Sequence, residues 1–133
     1  MIADTVCRRL IAAARRAQTQ AYAPYSKFTV GAAALGADGI VYTGCNVENS
    51  SYGLSCCAER NAVFHAVSCG CRKFAAIAVV GDGPDPITPC GACRQVLAEF
   101  AVPAVILAGA DDSYTVMTME ELLPQAFQFT VEK

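Results

Sequence analysis

The amino-acid sequence predicts an α/β fold in three layers, helices on both faces of a mixed sheet, and three observations lead there. The 133 residues are 54% hydrophobic and 17% charged, enough apolar material for a packed core and unlike a disordered chain. The segments read in the order helix, hairpin, helix, strand, helix, strand. Two apolar, partly β-branched runs, 74–80 and 102–107, have the length of buried strands, and the helical pattern between them reads as a crossover. An antiparallel pair followed by strands joined through helices makes the sheet mixed. Residues 1–133 are read as one domain.

Each element has a local reason. The first helix runs from about Asp4, placed as its N-cap, to about Tyr22, where Pro24 stops it. Val6, Leu10, Ala14, Ala17 and Ala21 form its apolar face, and Arg8, Arg9, Arg15 and Arg16 read as the solvated one. Strands Phe28–Leu35 and Ile40–Thr43 form a hairpin, with Asp38-Gly39 supplying the positive backbone angles of a tight turn. Residues 44–55 (GCNVENSSYGLS) break every periodicity and read as a loop into a second helix at about 56–68. Thr88 caps a third helix, with Pro89 in its first turn and Val96, Leu97 and Phe100 on its apolar side. A short helix at 119–123 ends at Pro124, and the tail 125–133 is too short to classify.

Charge and cysteine usage narrow the function. Ten basic against twelve acidic residues give a net charge of -2 and a pI near 5.3, unlike the basic footprint of a nucleic-acid binder, so a small-molecule substrate is expected. No apolar run reaches membrane-spanning length and no signal peptide is recognisable at the start. The eight cysteines therefore read as reduced thiols and metal ligands, and the cytoplasm is the expected compartment. So apolar a small chain is expected to cover part of its surface with copies of itself, as a homo-oligomer.

The chemistry sits in Cys57-Ala58-Glu59 and Pro89-Cys90-Gly91-Ala92-Cys93. Both segments fall at predicted helix starts, and cysteines three apart present two sulfurs on one side of a helical turn, within reach of one tetrahedral ion. A helix N-terminus carries about half a positive charge, which favours the thiolate that zinc binds. Cys57, Cys90 and Cys93 make three ligands, where a structural zinc takes four and a catalytic one keeps a position for water. His65 lies about two turns along the helix from Cys57, too far to be the fourth, and Cys56 remains a possible ligand that faces another way. Glu59, two residues from one ligand, is the expected proton carrier. Arg60 and Arg94 are adjacent to the cluster and can offset the negative charge of three thiolates, with Arg60 favoured and Arg94 equally well a solvated helix-end residue.

A C-x-E segment followed by P-C-x-x-C is the signature of zinc nucleobase deaminases. The sequence closely resembles the cytidine deaminase family, in particular its short, three-cysteine, homotetrameric branch. The resemblance rests on YAPYSKFTVG (22–31), CNVENSSYG (45–53), CAER (57–60), PCGACRQVL (89–97) and LLPQAF (122–127), in the family's order. It implies a three-layer α/β/α fold with a mixed five-stranded sheet, one Zn2+ per subunit, and hydrolytic deamination of cytidine and deoxycytidine in pyrimidine salvage. It further implies that Asn46 and Glu48 hold the ribose 3'-hydroxyl and that Phe28 flanks the pyrimidine. The Ala58 amide would then meet the pyrimidine O2, while Tyr52 and Phe127 reach into a neighbouring subunit's site.

The tail Gln128–Lys133 departs from the family in length and lacks its acidic stretch, and Phe129 competes with Phe127 as the closing residue. Cys45 reads as packing, and Cys69 and Cys71 flank Gly70 at a helix end. Within the same chemistry, Asn46-Val47-Glu48-Asn49 argues against a blasticidin-type deaminase, and the acidic balance against a polynucleotide deaminase. A purely structural zinc site in a binding module remains as the reading from another class, and under it Glu59 is dispensable.

Overall fold

A computed structural model describes residues 2–129. In chain order the elements are α1 (Asp4–Gln18), β1 (Val30–Gly36), β2 (Val41–Cys45), α2 (Ala58–Ser68), β3 (Phe74–Gly81), α3 (Gly91–Glu99), β4 (Val105–Ala108), β5 (Tyr114–Met117) and α4 (Met119–Leu122), with a 3-10 turn at Tyr52–Leu54. The five strands lie in the order β2-β1-β3-β4-β5. β1 is antiparallel to both β2 and β3, β3 is parallel to β4, and β5 returns antiparallel to β4. The mixed three-layer fold is thus the one expected.

Side-chain alternation along the inner strands makes the three layers. Ala76, Ala78 and Val80 of β3, with Ala33 and Ile106 from its neighbours, face Cys7, Leu10, Ile11 and Ala14 of α1. Ile77 and Val79, with Ala32, Ala34, Val105 and Leu107, face Ala62, Val63 and Ala66 of α2 and Leu97 of α3. Burying an Ile, Leu or Val fully contributes about 1.5–3 kcal/mol each. The many alanines contribute less but let helix and sheet approach closely. At Gly44 on β2 the approach is closest to the site, since a Cβ there would lie 2.4 Å from Ala62 N and 2.6 Å from Ala58 O. A side chain would push α2 off the sheet.

Several local expectations need correction. Asp4 is the first helical residue and Ala3 the N-cap; the Asp4 carboxylate instead takes hydrogen bonds from Arg8 and the Tyr114 hydroxyl. α1 ends at Gln18, where the chain turns through 19–21 and Tyr22 bridges to Val47, so Ala21 has no place on its face. Arg15 is not simply solvated: its guanidinium donates to Gly109 O at 2.6 Å and Gly81 O at 3.3 Å and pairs with Asp112, holding the ends of β3 and β4 against α1. β1 begins at Val30, two residues late, leaving Phe28 in the preceding loop. In the hairpin only Gly39 has positive φ, while Asp38 caps the turn by accepting from Ile40 N. The third helix starts later than Thr88, with Cys90 as N-cap, and Phe100 is its C-cap. β4 begins at Val105 instead of 102, and β5 is a strand that periodicity alone did not reveal.

Candidate metal centre and active site

Cys57 and Cys90 are the N-cap residues of α2 and α3, and neither helix start is capped by a side-chain hydrogen bond. The two helices lie on the same face of the sheet and bring these ends together. The Sγ atoms of Cys57, Cys90 and Cys93 all lie within 4.8 Å of one another, with Cys57 and Cys90 at 3.7 Å. Zinc–sulfur bonds of about 2.3 Å in a tetrahedron require sulfurs roughly 3.8 Å apart, so the donors fit this ion in type and spacing. Among the described residues the group contains these three donors and no fourth.

The surroundings favour a thiolate at Cys57. Cys57 is pulled down to about 5, first by the hydrogen bond from the Cys93 thiol, then by the guanidinium of Arg60 and the Cys90 thiol, against the cost of burial. Cys93, completely buried, is pushed up by the same shared hydrogen bond and by desolvation, so Cys57 loses its proton first. Arg60 Nη2 lies 3.3 Å from Cys57 Sγ, and its own pKa is raised by that contact. The Arg60 Nε is buried with no hydrogen-bond partner among the described residues. Arg60, half-buried with its guanidinium against Cys57, offsets part of the negative charge that the sulfurs carry when ionised, the state in which they bind a divalent metal.

Glu59 follows on the first turn of α2 and is only 4% exposed, the one charged residue buried to that extent among those described. Desolvation is the main cause that pushes its carboxyl pKa up. A carboxyl group held there beside the sulfurs is placed to exchange protons with whatever occupies the cluster. Ala58, beside it, is fully buried at the first helical position.

Arg94 does not reach the sulfurs. Its Nε donates to Pro89 O at 2.7 Å and its Nη1 to Leu122 O at 2.6 Å, so it ties the segment before Cys90 to α4. Gln95 Nε2 donates to Phe127 O at 3.1 Å, so consecutive residues of α3 hold the C-terminal segment. Sequence adjacency to Cys93 suggested a sulfur contact for Arg94, but each step along a helix turns the side chain by about 100° and aims it elsewhere. His65 is likewise outside the cluster, with its Nδ1 3.0 Å from Thr43 O. Cys56 is absent from the ligand group, and its backbone pairs with Val47. Cys69 is the C-cap of α2, followed by Gly70.

The loop residues expected to meet the substrate make a separate set of contacts. Asn46 uses its amide on the main chain, accepting from Val30 N at 2.8 Å and donating to Phe28 O at 2.9 Å. Glu48 accepts from the Tyr25 and Ser26 amides at 3.0 and 3.1 Å and from the Ser26 hydroxyl, and that hydroxyl is the first cause of its lowered pKa. Tyr25, Ser26, Glu48, Tyr52 and Ser55 line a cavity of about 340 Å³; among the described residues the cysteines and Glu59 are not part of its wall. Phe28 lays its ring over Gly81, where an added Cβ would sit 3.2 Å from it. Tyr52 and Phe127 are 76% and 71% exposed, far more open than Glu59 and Cys93, while at the cluster Cys57 is half-buried and Cys90 exposed. Phe129 is also exposed, and residues 130–133 of the tail lie outside the described residues.

Comparison with known proteins agrees with this geometry. Residues 5–109 match the model of the cytidine and deoxycytidylate deaminase zinc-binding region. The chain is 53% identical over 122 residues to a cytidine deaminase of Sporosarcina psychrophila, covering 90% of this chain and 89% of that one. It is 48% identical to a probable cytidine deaminase of Dictyostelium discoideum, over 90% and 82% of the two chains. The crystal structure of cytidine deaminase from Burkholderia pseudomallei superposes with a TM-score of 0.86 at 53% identity, covering 90% of this chain and 98% of that one. With the matched region spanning α1 to β4 and both metal-binding helices inside it, the chain belongs to the cytidine and deoxycytidylate deaminase family.

Proposed function

We propose that the protein hydrolyses cytidine and deoxycytidine to uridine, deoxyuridine and ammonia, serving pyrimidine salvage. The observation that carries this is the pairing of a three-sulfur cluster at zinc spacing with a buried glutamate two residues from one of the sulfurs. Cys57, Cys90 and Cys93 hold the ion. When bound, zinc makes water acidic enough to act as a nucleophile near neutral pH. Glu59 takes one proton from the attacking water and passes it to N3 as the oxygen adds to C4. The second water proton travels by the same carboxylate to the exocyclic amine, which leaves as ammonia when the C4–N bond breaks. A carboxyl group with a raised pKa is suited to accepting and then releasing a proton within one cycle.

The remaining chain positions the substrate. The Ala58 amide, at a helix start with no side-chain cap, donates to the pyrimidine O2. Phe28 flanks the ring. Asn46 and Glu48 meet the ribose 3'-hydroxyl, a group that donates and accepts. Glu48 has accepted three hydrogen bonds and keeps a further lone pair for such a contact. Arg60 offsets the thiolate charge. Tyr52 and Phe127, open in one subunit, close a neighbour's site in a homotetramer; their exposure, with that of Leu54 at 70%, supports this reading. No helix among the described residues is long and apolar enough to cross a membrane. Residence in the cytoplasm belongs to the same proposal, on the sequence grounds above.

The test is the loss of absorbance as cytidine and deoxycytidine become uridines, run beside blasticidin and a cytosine-containing oligonucleotide. Turnover of the two nucleosides with neither of the others is the expected result. Preferential turnover of the oligonucleotide or blasticidin would replace the proposal with one of the rival deaminase readings.

A further inference from the structure

The segment from Asn46 to Cys56 must hold the sugar-binding pair at a set distance from Cys57 and Glu59, yet packing does little to fix it. Val47, Tyr52 and Leu54 are 45%, 76% and 70% exposed. Its anchors are hydrogen bonds at its two ends. Val47 and Cys56 exchange backbone hydrogen bonds of 3.0 and 2.9 Å, and Tyr22 pairs with Asn46 O and Glu48 N on the outer side. One side chain joins both ends. The amide nitrogen of Asn61, in the second turn of α2, donates to Cys45 O at 2.8 Å and to Cys56 O at 3.4 Å. These carbonyls belong to the residue before Asn46 and the residue before Cys57.

The contact depends on Gly44, whose missing side chain lets the end of β2 come against the first turns of α2, with Asn61 C 2.8 Å from where a Cβ would lie. Asn is also a poorer helix former than Ala, and α2 is otherwise rich in Ala. Its place inside the helix is explained by the two carbonyls it reaches. A side-chain amide has two protons, one for each carbonyl, so a single residue sets the spacing between the loop and the metal-binding helix start.

We infer that Asn61 is a positioning residue for nucleoside recognition: through Cys45 and Cys56 it places Asn46 and Glu48 relative to Glu59. The inference rests on the proposed contact of Asn46 and Glu48 with the 3'-hydroxyl. It predicts that Asn61 acts on the discrimination between nucleosides with and without that hydroxyl, and little on the metal.

The experiment measures kcat and KM for cytidine and 3'-deoxycytidine, with zinc content, in the wild-type protein and Asn61→Ala. Wild-type protein should prefer cytidine. Asn61→Ala should reduce that preference about tenfold, the weight of roughly one hydrogen bond, mainly through KM for cytidine and with zinc still stoichiometric. Asn61→Ser, whose shorter hydroxyl cannot span both carbonyls, should do the same and serves if the alanine variant does not fold. A preference unchanged in the variants overturns the role of Asn61 alone. Loss of zinc with the preference intact also overturns it, since the residue would then support the metal ligand instead of the loop. A wild-type protein indifferent to the 3'-hydroxyl overturns the sugar contact, and the inference with it.

Discussion

The two sides of the site are built in opposite ways. On the metal side, Cys93 and Glu59 are buried, Cys57 and Cys90 are helix N-caps, the first half-buried and the second exposed at the rim, and the half-buried Arg60 contacts Cys57. On the proposed nucleoside side, Tyr52, Phe127 and Phe28 are exposed, Asn46 gives half of its amide's hydrogen-bonding capacity to the chain, and Glu48 accepts three hydrogen bonds from it. The difference teaches that the proposed reacting groups are fixed by the fold of one chain, whereas the proposed binding surface is left open by it. Chemistry that moves protons needs groups desolvated and fixed within the core. Recognition of a small polar substrate can be completed by a surface that another copy covers.

The largest effect that separates the two sides should come from Cys93→Ser. Serine keeps the volume but is a poor zinc ligand, so zinc content and deamination should both fall to background, measured by metal analysis and the absorbance assay. A variant that keeps full zinc would show that the cluster does not hold the ion. Next, Arg60→Ala should leave zinc bound but release it faster to a chelator, with affinity or turnover down about 10- to 100-fold, as for other residues that support metal ligands. Unchanged release would mean that the charge of the thiolates is balanced from elsewhere. A smaller effect is expected on the open side: Tyr52→Ala should raise KM for cytidine about tenfold, leave zinc in place and weaken subunit association seen by sedimentation. A fully active monomer carrying that substitution would remove Tyr52 from the site and make the binding surface complete in one chain.

The metal side was also the more legible in the sequence, for a physical reason. Cysteines three apart, a glutamate two from a cysteine, and glycine or proline at helix starts are local patterns, and the structure places Cys57 and Cys90 at helix N-caps. The inner strand β3 and the hairpin were readable for the same reason, since burial on both faces and an Asp-Gly turn are written in a few consecutive residues. What escaped depends on residues far apart in the chain. β5 has four residues, two of them exposed, and exists because β4 offers it a partner. Arg15 looked like a surface arginine because nothing nearby in sequence reveals Gly81 and Gly109 as its partners. Asn61 follows Glu59 and Arg60 directly, so nothing local distinguishes it, and its partner Cys45 O lies 16 residues away in the chain.

The central claim is that the buried carboxylate moves the protons while the cysteines hold the metal independently of it. Glu59→Gln keeps the size and polarity of the side chain and removes only its ability to carry a proton. Measured side by side, zinc content and deamination of cytidine should separate: zinc stays stoichiometric, the fold is kept, and turnover falls by about four orders of magnitude or more, beyond the usual range for losing acid–base catalysis alone because one carboxyl group serves both transfers. Turnover close to wild type with zinc retained would contradict the account and return the cluster to a structural role.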